Sequence, residues 1–345
     1  MELGSPSKEA GRVRASRPKI SLDFVVRNEE LSSGDYNAYI RSFCRDGDTV
    51  ARLYALLEGD ASILKLMNKQ GLKKELTECY SAICLVERSL RRKESSSRTK
   101  LFCEPCLDAS NEPLVPSVHL TGHVADAEGE NEVKGGIEGE EHDECEPLLT
   151  FSAIRKNVAN MVFYDVCSGK GVLAFLLSLL FPEIPKIVMV DFNADMKLDH
   201  LAAECCSHIT YKQCDIYTKE FSEYLQSESR GCSASGLIPV VVGLHLCGTL
   251  STRLVNLYNE ISDLPILILS PCCAPTRSKK NRVFMTRERL KRNSWPSYGH
   301  WAFSVYVLID HLSVLKDIVR DDLVVSEKNT FIWAVKRTFL SSRIM

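Results

Sequence analysis

A glycine-containing turn between two apolar runs constrains this chain more than any other feature of its sequence. Residues 161–164 have the composition of a short β-strand, Asp165 to Gly171 contain the turn, and 172–181 have the composition of a buried helix. Glycines let the backbone approach a ligand closely, and a helix N-terminus directs free N–H groups towards it. This strand–turn–helix arrangement predicts a site for a nucleotide-type ligand.

Further apolar runs follow the turn, and the first two of them end near aspartates. We predict strands at 186–190, 208–213, 238–246 and 265–270, helices at 194–207 and 300–314, and a closing hairpin from 316–320 and 330–336. Near-continuous apolar runs are typical of parallel strands that are buried on both faces. The predicted fold class is therefore α/β, a Rossmann-like and mostly parallel sheet with an antiparallel C-terminal hairpin, preceded by a helical N-terminal region.

The composition changes along the chain and predicts four regions. Apolar residues recur near a helical period before residue 93, whereas the interval from Thr121 to Glu146 carries ten acidic residues and one lysine. Such an acidic interval has little apolar area to bury against the entropy lost on ordering. The predicted regions are a disordered 1–20, a helical N-terminal region at 21–100, an acidic flexible insertion at 101–150 and an α/β domain at 151–340.

Composition also indicates the cellular location in which the protein is expected to function. No apolar run reaches the roughly 18 residues that a membrane span needs, so no membrane association is predicted. Residues 1–20 are basic and polar and lack the apolar core of a secretion signal. The fourteen cysteines are then expected to be reduced thiols, as in cytoplasmic or nuclear proteins.

Acidic residues at the strand ends can accept hydrogen bonds from the ribose and the adenine of a nucleoside ligand. Asp191 follows the second strand, and its carboxylate can accept two hydrogen bonds from a ribose diol. Asp215 follows the third strand and is predicted to accept from an adenine amino group, while Ile216 donates its backbone N–H. The segment from Gly169 to Ala174 also fits the dinucleotide fingerprint G-x-G-x-x-A, which leaves an NAD(P)-linked oxidoreductase as an alternative.

The acidic residue before the glycines favours a different family. Asp165, Cys167, Gly169 and Gly171 form a pattern that resembles the first motif of class I S-adenosylmethionine-dependent methyltransferases, with a cysteine where glycine is usual. The resemblance implies S-adenosyl-L-methionine as cofactor, with Asp165 facing its cationic methionine end. An anionic pyrophosphate would be repelled by that carboxylate. A non-catalytic methyltransferase-like scaffold remains a second alternative.

Two further blocks, 243–248 and 270–273, are similar to methyltransferase-like domains related to the tRNA 2′-O-methyltransferases that modify the acceptor stem. They are also similar to the methyltransferase domain of some glutathione-transferase-like proteins. The first of these likenesses implies an RNA substrate, with tRNA favoured. Residues 277–292 carry eight basic residues and one acidic residue, a net charge of +7 that can neutralise RNA phosphates. The sequence does not determine the oligomeric state.

A histidine and three cysteines follow the fourth and fifth strands. His245 is a candidate for orienting or deprotonating a hydroxyl or amine, and Cys272 is a second candidate catalytic residue. One hypothesis makes a thiolate the nucleophile of a cytosine-5 RNA methyltransferase. We favour the other, in which Cys247, Cys272 and Cys273 line the pocket, because the proline and acid of those enzymes are missing after the fourth strand.

Zinc-finger spacing also occurs once in the insertion. Cys103 and Cys106 are followed at the expected distance by His119 and His123, but two prolines stand where the helix of such a finger would form. No metal ligand is therefore predicted, and the sequence does not determine whether Cys103, Cys106, His119 and His123 bind zinc.

Overall fold

The computed structural model describes residues 39, 47–67, 72–91, 157–275, 297–326 and 329–342. Three sequence predictions lie outside these residues: the disordered 1–20, the insertion at 101–150 with its zinc-finger spacing, and the basic segment 277–292. The chain divides into one compact unit of residues 1–90 and 151–345 and a second unit of residues 91–150. All described residues except Arg91 belong to the first unit, which contains both the N-terminal helices and the sheet.

The described elements are numbered in chain order. The strands are β1 (Met161–Val166), β2 (Lys186–Asp191), β3 (Ile209–Gln213), β4 (Ile238–Leu246), β5 (Ile266–Pro271), β6 (Val314–Arg320) and β7 (Thr330–Lys336). The helices are α1 (Gly47–Gly59), α2 (Ala61–Met67), α3 (Leu72–Arg91), α4 (Val172–Leu180), α5 (Lys219–Ala234), α6 (Thr249–Glu260), α7 (Ser297–Tyr306) and α8 (Arg337–Ser342).

The seven strands form one sheet in the order β3-β2-β1-β4-β5-β7-β6. The first five strands in this order, β3, β2, β1, β4 and β5, are parallel to one another. Strand β7 pairs antiparallel with both β5 and β6. The chain first builds the sheet outward from β1 to β3 and then continues on the other side of β1 with β4. The carboxyl ends of β1 and β4 therefore lie at a topological switch point, where open α/β sheets bind ligands. The predicted fold class, including the antiparallel hairpin and the helical N-terminal region, is confirmed.

Helix α4 explains why the N-terminal helices belong to the same unit as the sheet. All nine of its residues are buried, including those on the side away from the sheet. An α-helix that is apolar all round must be covered on every side. Helix α1 contacts α4, and α2 contacts the 3₁₀ turn at Asp199–Ala202, so the N-terminal helices supply part of that cover.

Helix α3 is attached to the α/β part by polar contacts at three places along its length. The Thr77 hydroxyl accepts from the Val325 N–H at 3.0 Å, between β6 and β7. The Asn157 side chain, just before β1, donates to Glu87 at 3.1 Å. Between these two residues, Glu78 contacts His245 at the end of β4. The helix is thus held against the ends of three different strands.

The predicted helix at 194–207 is wrong. This segment contains two short 3₁₀ turns, Asp199–Ala202 and Glu204–Cys206, separated by the extended Ala203. The Asp191 carboxylate accepts the Asn193 N–H, and the Asn193 side chain accepts the Asp195 N–H. Such local bonds compete with helical hydrogen bonds, so no regular helix begins here.

The predicted helix at 300–314 is shifted and shorter in the structure, where α7 ends at Tyr306. The Asp310 carboxylate accepts from the Leu312 N–H and the Ser313 hydroxyl, and this turn leads directly into β6. No helix in the described residues has the length and apolar character needed to cross a membrane.

Candidate active site

In the glycine turn after β1, every second residue from Cys167 to Gly171 has a left-handed backbone conformation. Cys167, Gly169 and Gly171 have φ angles of 58°, 53° and 71°. A Cβ on Gly171 would lie 2.3 Å from the Met189 methyl carbon, so this glycine lets the turn pack directly on β2. A Cβ on Gly169 would meet nothing within 4 Å, which leaves open space at the centre of the turn.

Cys167 occupies a left-handed backbone position that glycine adopts at lower cost. The cysteine is half-buried, and burial together with the nearby Asp191 carboxylate raises the pKa of its thiol to about 12. The thiol therefore stays protonated at neutral pH. Backbone strain of this kind is concentrated at ligand and catalytic sites.

Asp191 links the turn to the end of β2. Its carboxylate accepts the Gly169 N–H at 3.1 Å and the Asn193 N–H at 3.1 Å, one on each oxygen. A carboxylate oxygen has two lone pairs, so both oxygens can accept a further hydrogen bond. Asp191 is half-buried, and its neighbour Phe192 is 74% exposed.

Asp165 lies inside β1 and is buried, with 3% of its surface exposed. One carboxylate oxygen accepts the Ala174 N–H from the first turn of α4, while Oδ2 has no hydrogen-bond partner among the described residues. Burial, and secondarily the charge of Asp191, raises the pKa of the Asp165 carboxyl to about 7. The switch point thus holds two carboxyl groups with different environments, one of them half-protonated near neutral pH.

Asp215 and Ile216 follow β3 in a short loop before α5. The exposed Asp215 carboxylate accepts the Tyr217 N–H at 3.0 Å. The Ile216 side chain is buried, and its carbonyl accepts from Arg253 of α6 at 3.0 Å. The Tyr217 ring is about half exposed, and its hydroxyl is hydrogen-bonded to Thr249 at the start of α6. The loop is therefore fixed by two contacts to α6.

His245 has a partner that sequence inspection did not find. Its Nε2 lies 2.6 Å from the Glu78 carboxylate and 2.8 Å from the Lys74 ammonium, both on α3. Glu78 is buried and also pairs with Lys74 at 3.1 Å. His245 has φ 59°, and the pairing of β4 with β5 shifts register between Leu244 and Leu246. The bulge and the left-handed backbone together project this side chain out of the strand.

The role of the His245 ring in these contacts depends on its tautomer. Nε2 cannot accept from Lys74 and donate to Glu78 at the same time. In the tautomer with the proton on Nε2, the ring donates to Glu78, and Lys74 pairs with the same carboxylate. The other ring nitrogen, Nδ1, is then the hydrogen-bond acceptor of the neutral ring.

Cys247, Cys272 and Cys273 come together at the same edge of the sheet. Their sulfur atoms all lie within 4.8 Å of one another. Burial, and secondarily hydrogen bonding to the neighbouring thiols, raises the pKa of Cys247 to about 11. A raised thiol pKa is the opposite of what an activated nucleophile needs.

The structure brings most of the sequence-predicted site residues to the carboxyl edge of the sheet. Asp165, Cys167, Gly169 and Gly171 follow or end β1, and Asp191 ends β2. His245 ends β4, Cys272 follows β5, and Asp215 with Ile216 follow β3. Lys74 and Glu78 were missed, because they lie 171 and 167 residues from His245 and no local pattern connects a helix to so distant a loop.

Comparison with known proteins gives one family match and several structural similarities. Residues 143–279, which include β1 to β5, match the family model described as "Methyltransferase domain". Comparison with curated proteins gives no significant match.

Among solved structures, a precorrin-6y C5,15-methyltransferase from Geobacter metallireducens GS-15 is 14% identical, with 58% of this chain and 98% of that chain covered and a TM-score of 0.26. The methyltransferase domain of bacterial CtHen1 is 18% identical, with 54% and 95% covered and a TM-score of 0.31. The small RNA methyltransferase HEN1 is 14% identical, with 58% and 28% covered and a TM-score of 0.29.

The narrower likeness to the tRNA 2′-O-methyltransferase-related group is not confirmed by these matches and stays a prediction. The family match covers the glycine turn and all five parallel strands, and the sheet has the mostly parallel order with an antiparallel hairpin that the apolar runs of the sequence predict. Residues 143–279 therefore match a methyltransferase domain, and this match together with the sheet order supports a class I methyltransferase fold for the α/β part.

Proposed function

We propose that this protein transfers a methyl group from S-adenosyl-L-methionine to RNA. The observation that carries the cofactor assignment is the buried Asp165 oxygen, which has no hydrogen-bond partner among the described residues. An unpaired buried acceptor is costly unless a ligand satisfies it. A cationic or N–H-bearing ligand group suits this oxygen, whereas an anionic pyrophosphate does not.

The remaining turn and loop residues fit the nucleoside half of the same ligand. Asp191 retains lone pairs for a ribose diol after accepting from Gly169 and Asn193. Phe192 follows directly and is largely exposed, so its ring is available for contact with an adenine. In this proposal Asp215 and Ile216 complete the adenine contacts, and Cys167, Gly169 and Gly171 give the backbone close access. The cofactor, when bound, supplies a methyl group on a positively charged sulfur.

His245 is proposed to position the acceptor. With Nε2–H committed to Glu78, Nδ1 can accept a hydrogen bond from the hydroxyl or amine that receives the methyl group. Glu78 does not contact the acceptor in this scheme and acts as a positioning residue, which fixes the ring tautomer and orientation. Methyl transfer depends strongly on such positioning.

RNA is favoured as the substrate by charge and by motif resemblance. The segment 277–292 follows β5 in the sequence and carries a net charge of +7. Phosphate neutralisation by lysine and arginine supplies much of the affinity of RNA-binding proteins. The blocks 243–248 and 270–273 resemble those of tRNA-modifying relatives, so tRNA is the first substrate to test, in cytoplasmic and nuclear pools.

Asp191→Asn is expected to weaken S-adenosylmethionine binding by about 10- to 100-fold, because hydrogen bonds to charged groups contribute about 1.5–3 kcal/mol. Asparagine keeps an oxygen for the Gly169 N–H, so the turn itself should persist. Calorimetry with S-adenosylmethionine and a labelled methyl-transfer assay on total tRNA measure the effect. Asp195→Asn, an exposed residue in the same loop, is the control. An unchanged Kd for Asp191→Asn would contradict the proposed ribose contact.

Asp165→Asn is expected to change how stability depends on pH. In the folded protein the pKa of the Asp165 carboxyl is about 7, whereas the unfolded chain releases this proton near the ordinary aspartate pKa of 3.8. Ionisation therefore favours the unfolded chain, and stability is lost as the pH rises between these two values. Between about pH 5.5 and about pH 8.5 the wild type should lose about 2 kcal/mol more unfolding free energy than Asp165→Asn.

Urea denaturation of both proteins without ligand tests this pH dependence, with Asp195→Asn as the control. Parallel pH curves for the wild type and Asp165→Asn would show that the buried carboxyl is not perturbed.

Glu78→Gln and His245→Asn are expected to lower kcat while S-adenosylmethionine binds normally. His245→Asn should lower kcat by about 100-fold, and loss of the orienting carboxylate in Glu78→Gln by about 10-fold. Asparagine tolerates the left-handed backbone at position 245. Glu87→Gln on the same helix is the matched control, since Glu87 is also buried but contacts Asn157. Equal kcat values for Glu78→Gln and Glu87→Gln would contradict the proposal that Glu78 positions the His245 ring.

Reversal of Lys279, Lys280 and Arg282 to glutamate is expected to weaken RNA binding and leave cofactor affinity unchanged. Each lost phosphate contact should reduce the slope of log K against log salt by about 0.7. Fluorescence anisotropy with tRNA at several salt concentrations measures the slope. Reversal of the exposed Lys219 and Arg230 on α5 is the control. Unaltered RNA binding after the first reversal would exclude this segment as the RNA contact.

A further inference from the structure

The sulfur atoms of Cys247, Cys272 and Cys273 are arranged as a set of metal ligands. Cys272 and Cys273 sulfurs are 3.4 Å apart, and all three sulfurs lie within 4.8 Å of one another. In a tetrahedral thiolate site with Zn–S bonds of about 2.3 Å, sulfur atoms are about 3.8 Å apart. Adjustments on the order of 1 Å in flexible side chains would reach this spacing.

The backbone that carries these cysteines is held in place from both strands. The Cys272 N–H donates to the Leu246 carbonyl at 3.1 Å, and the Gly248 N–H donates to the Cys273 carbonyl at 2.7 Å. Gly248 has φ 58°, and Pro275 lies close to the position of a Cβ there. These bonds continue the contact of β4 with β5 beyond the bulge. The backbone segments that carry the three thiols are therefore hydrogen-bonded to each other, which fixes the relative positions of the three cysteines.

Exposure and ligand chemistry favour one class of ion. Cys247 and Cys273 are exposed and Cys272 is buried, so an ion from solvent can reach the cluster and still have protein on one side. Soft thiolate ligands favour zinc and copper(I) over magnesium or calcium. Among the described residues, this is the one group of three or more candidate ligands that meets these distance limits.

We infer that Cys247, Cys272 and Cys273 bind one zinc ion through three thiolates, with the fourth coordination position open to water or substrate. On binding, three S–H groups release their protons to solvent and three S–Zn bonds form, without electron transfer. Three protein ligands and one exchangeable position are the arrangement of zinc sites that act on a bound molecule. The ion would crosslink the ends of β4 and β5 at the edge that carries the glycine turn, whatever the methyl acceptor is.

The test measures metal bound to the full-length chain with Cys103→Ser and Cys106→Ser, which removes the unrelated cysteine pair of the insertion. Purified under reducing conditions and passed through a desalting column, this protein should retain one zinc per chain. Cobalt(II) substitution should give an intense near-ultraviolet sulfur-to-cobalt band. Adding Cys247→Ser should weaken zinc affinity by more than about 100-fold, since even outer-shell changes cost about 10- to 100-fold.

Cys205 and Cys206 provide the matched control. They are also adjacent, and their sulfurs are 3.7 Å apart, but no third candidate ligand joins them within the described part of the chain. Cys205→Ser with Cys206→Ser should keep the zinc and the cobalt band. Because Cys247 is exposed, its serine variant is expected to fold, and an unchanged circular dichroism spectrum checks this. Absence of zinc and of the cobalt band in the reduced protein, or their persistence in Cys247→Ser, would overturn the inference.

Discussion

The hydrogen bond from the Gly169 N–H to the Asp191 carboxylate joins the carboxyl ends of β1 and β2, and the geometry of the site depends on it. It holds the turn against β2, where Gly171 packs on Met189 without room for a side chain. It also brings a negative charge close to the buried Asp165, whose pKa rises to about 7 in consequence of burial and of that charge. The two carboxyl groups and the open space at Gly169 are the basis on which we propose a ligand that is cationic at one end and carries a diol.

The N-terminal helices contribute both to stability and to the site. Helix α4 is apolar on all sides, so the sheet alone does not cover it, and α1 contacts it. Helix α3 also brings the buried carboxylate of Glu78 into contact with His245. In the described backbone, His245 and Cys167 are the two non-glycine residues with a positive φ angle. The bulge in β4 and the left-handed backbone carry a conformational cost of roughly 1–3 kcal/mol. In the proposed function, the contact with Glu78 holds the His245 ring in place at the carboxyl edge of the sheet.

The sequence predicted the features that depend on local patterns. Continuous apolar runs identified β1, β2, β4 and β5, and Asp165 and Asp191 identified the carboxyl edge of the sheet as the candidate ligand site. The helix predicted at 194–207 was wrong, because hydrogen bonds to the side chains of Asp191 and Asn193 replace helical hydrogen bonds there. The sequence did not reveal Glu78 and Lys74, because their contact with His245 depends on how α3 packs across the sheet ends. The clustering of Cys247 with Cys272 and Cys273 likewise depends on the register between β4 and β5.

The most direct test of the account is a calorimetric titration of the wild-type protein with four ligands: S-adenosylmethionine, S-adenosylhomocysteine, NAD⁺ and NADP⁺. The paired carboxyl groups at the switch point predict saturable one-to-one binding of the first two ligands and no binding of the nicotinamide nucleotides. The binding should also stabilise the fold, by about 2.7 kcal/mol when the free ligand is at about 100 times Kd. Binding of only a nicotinamide nucleotide, with no heat or stabilisation from the adenosyl ligands, would contradict it.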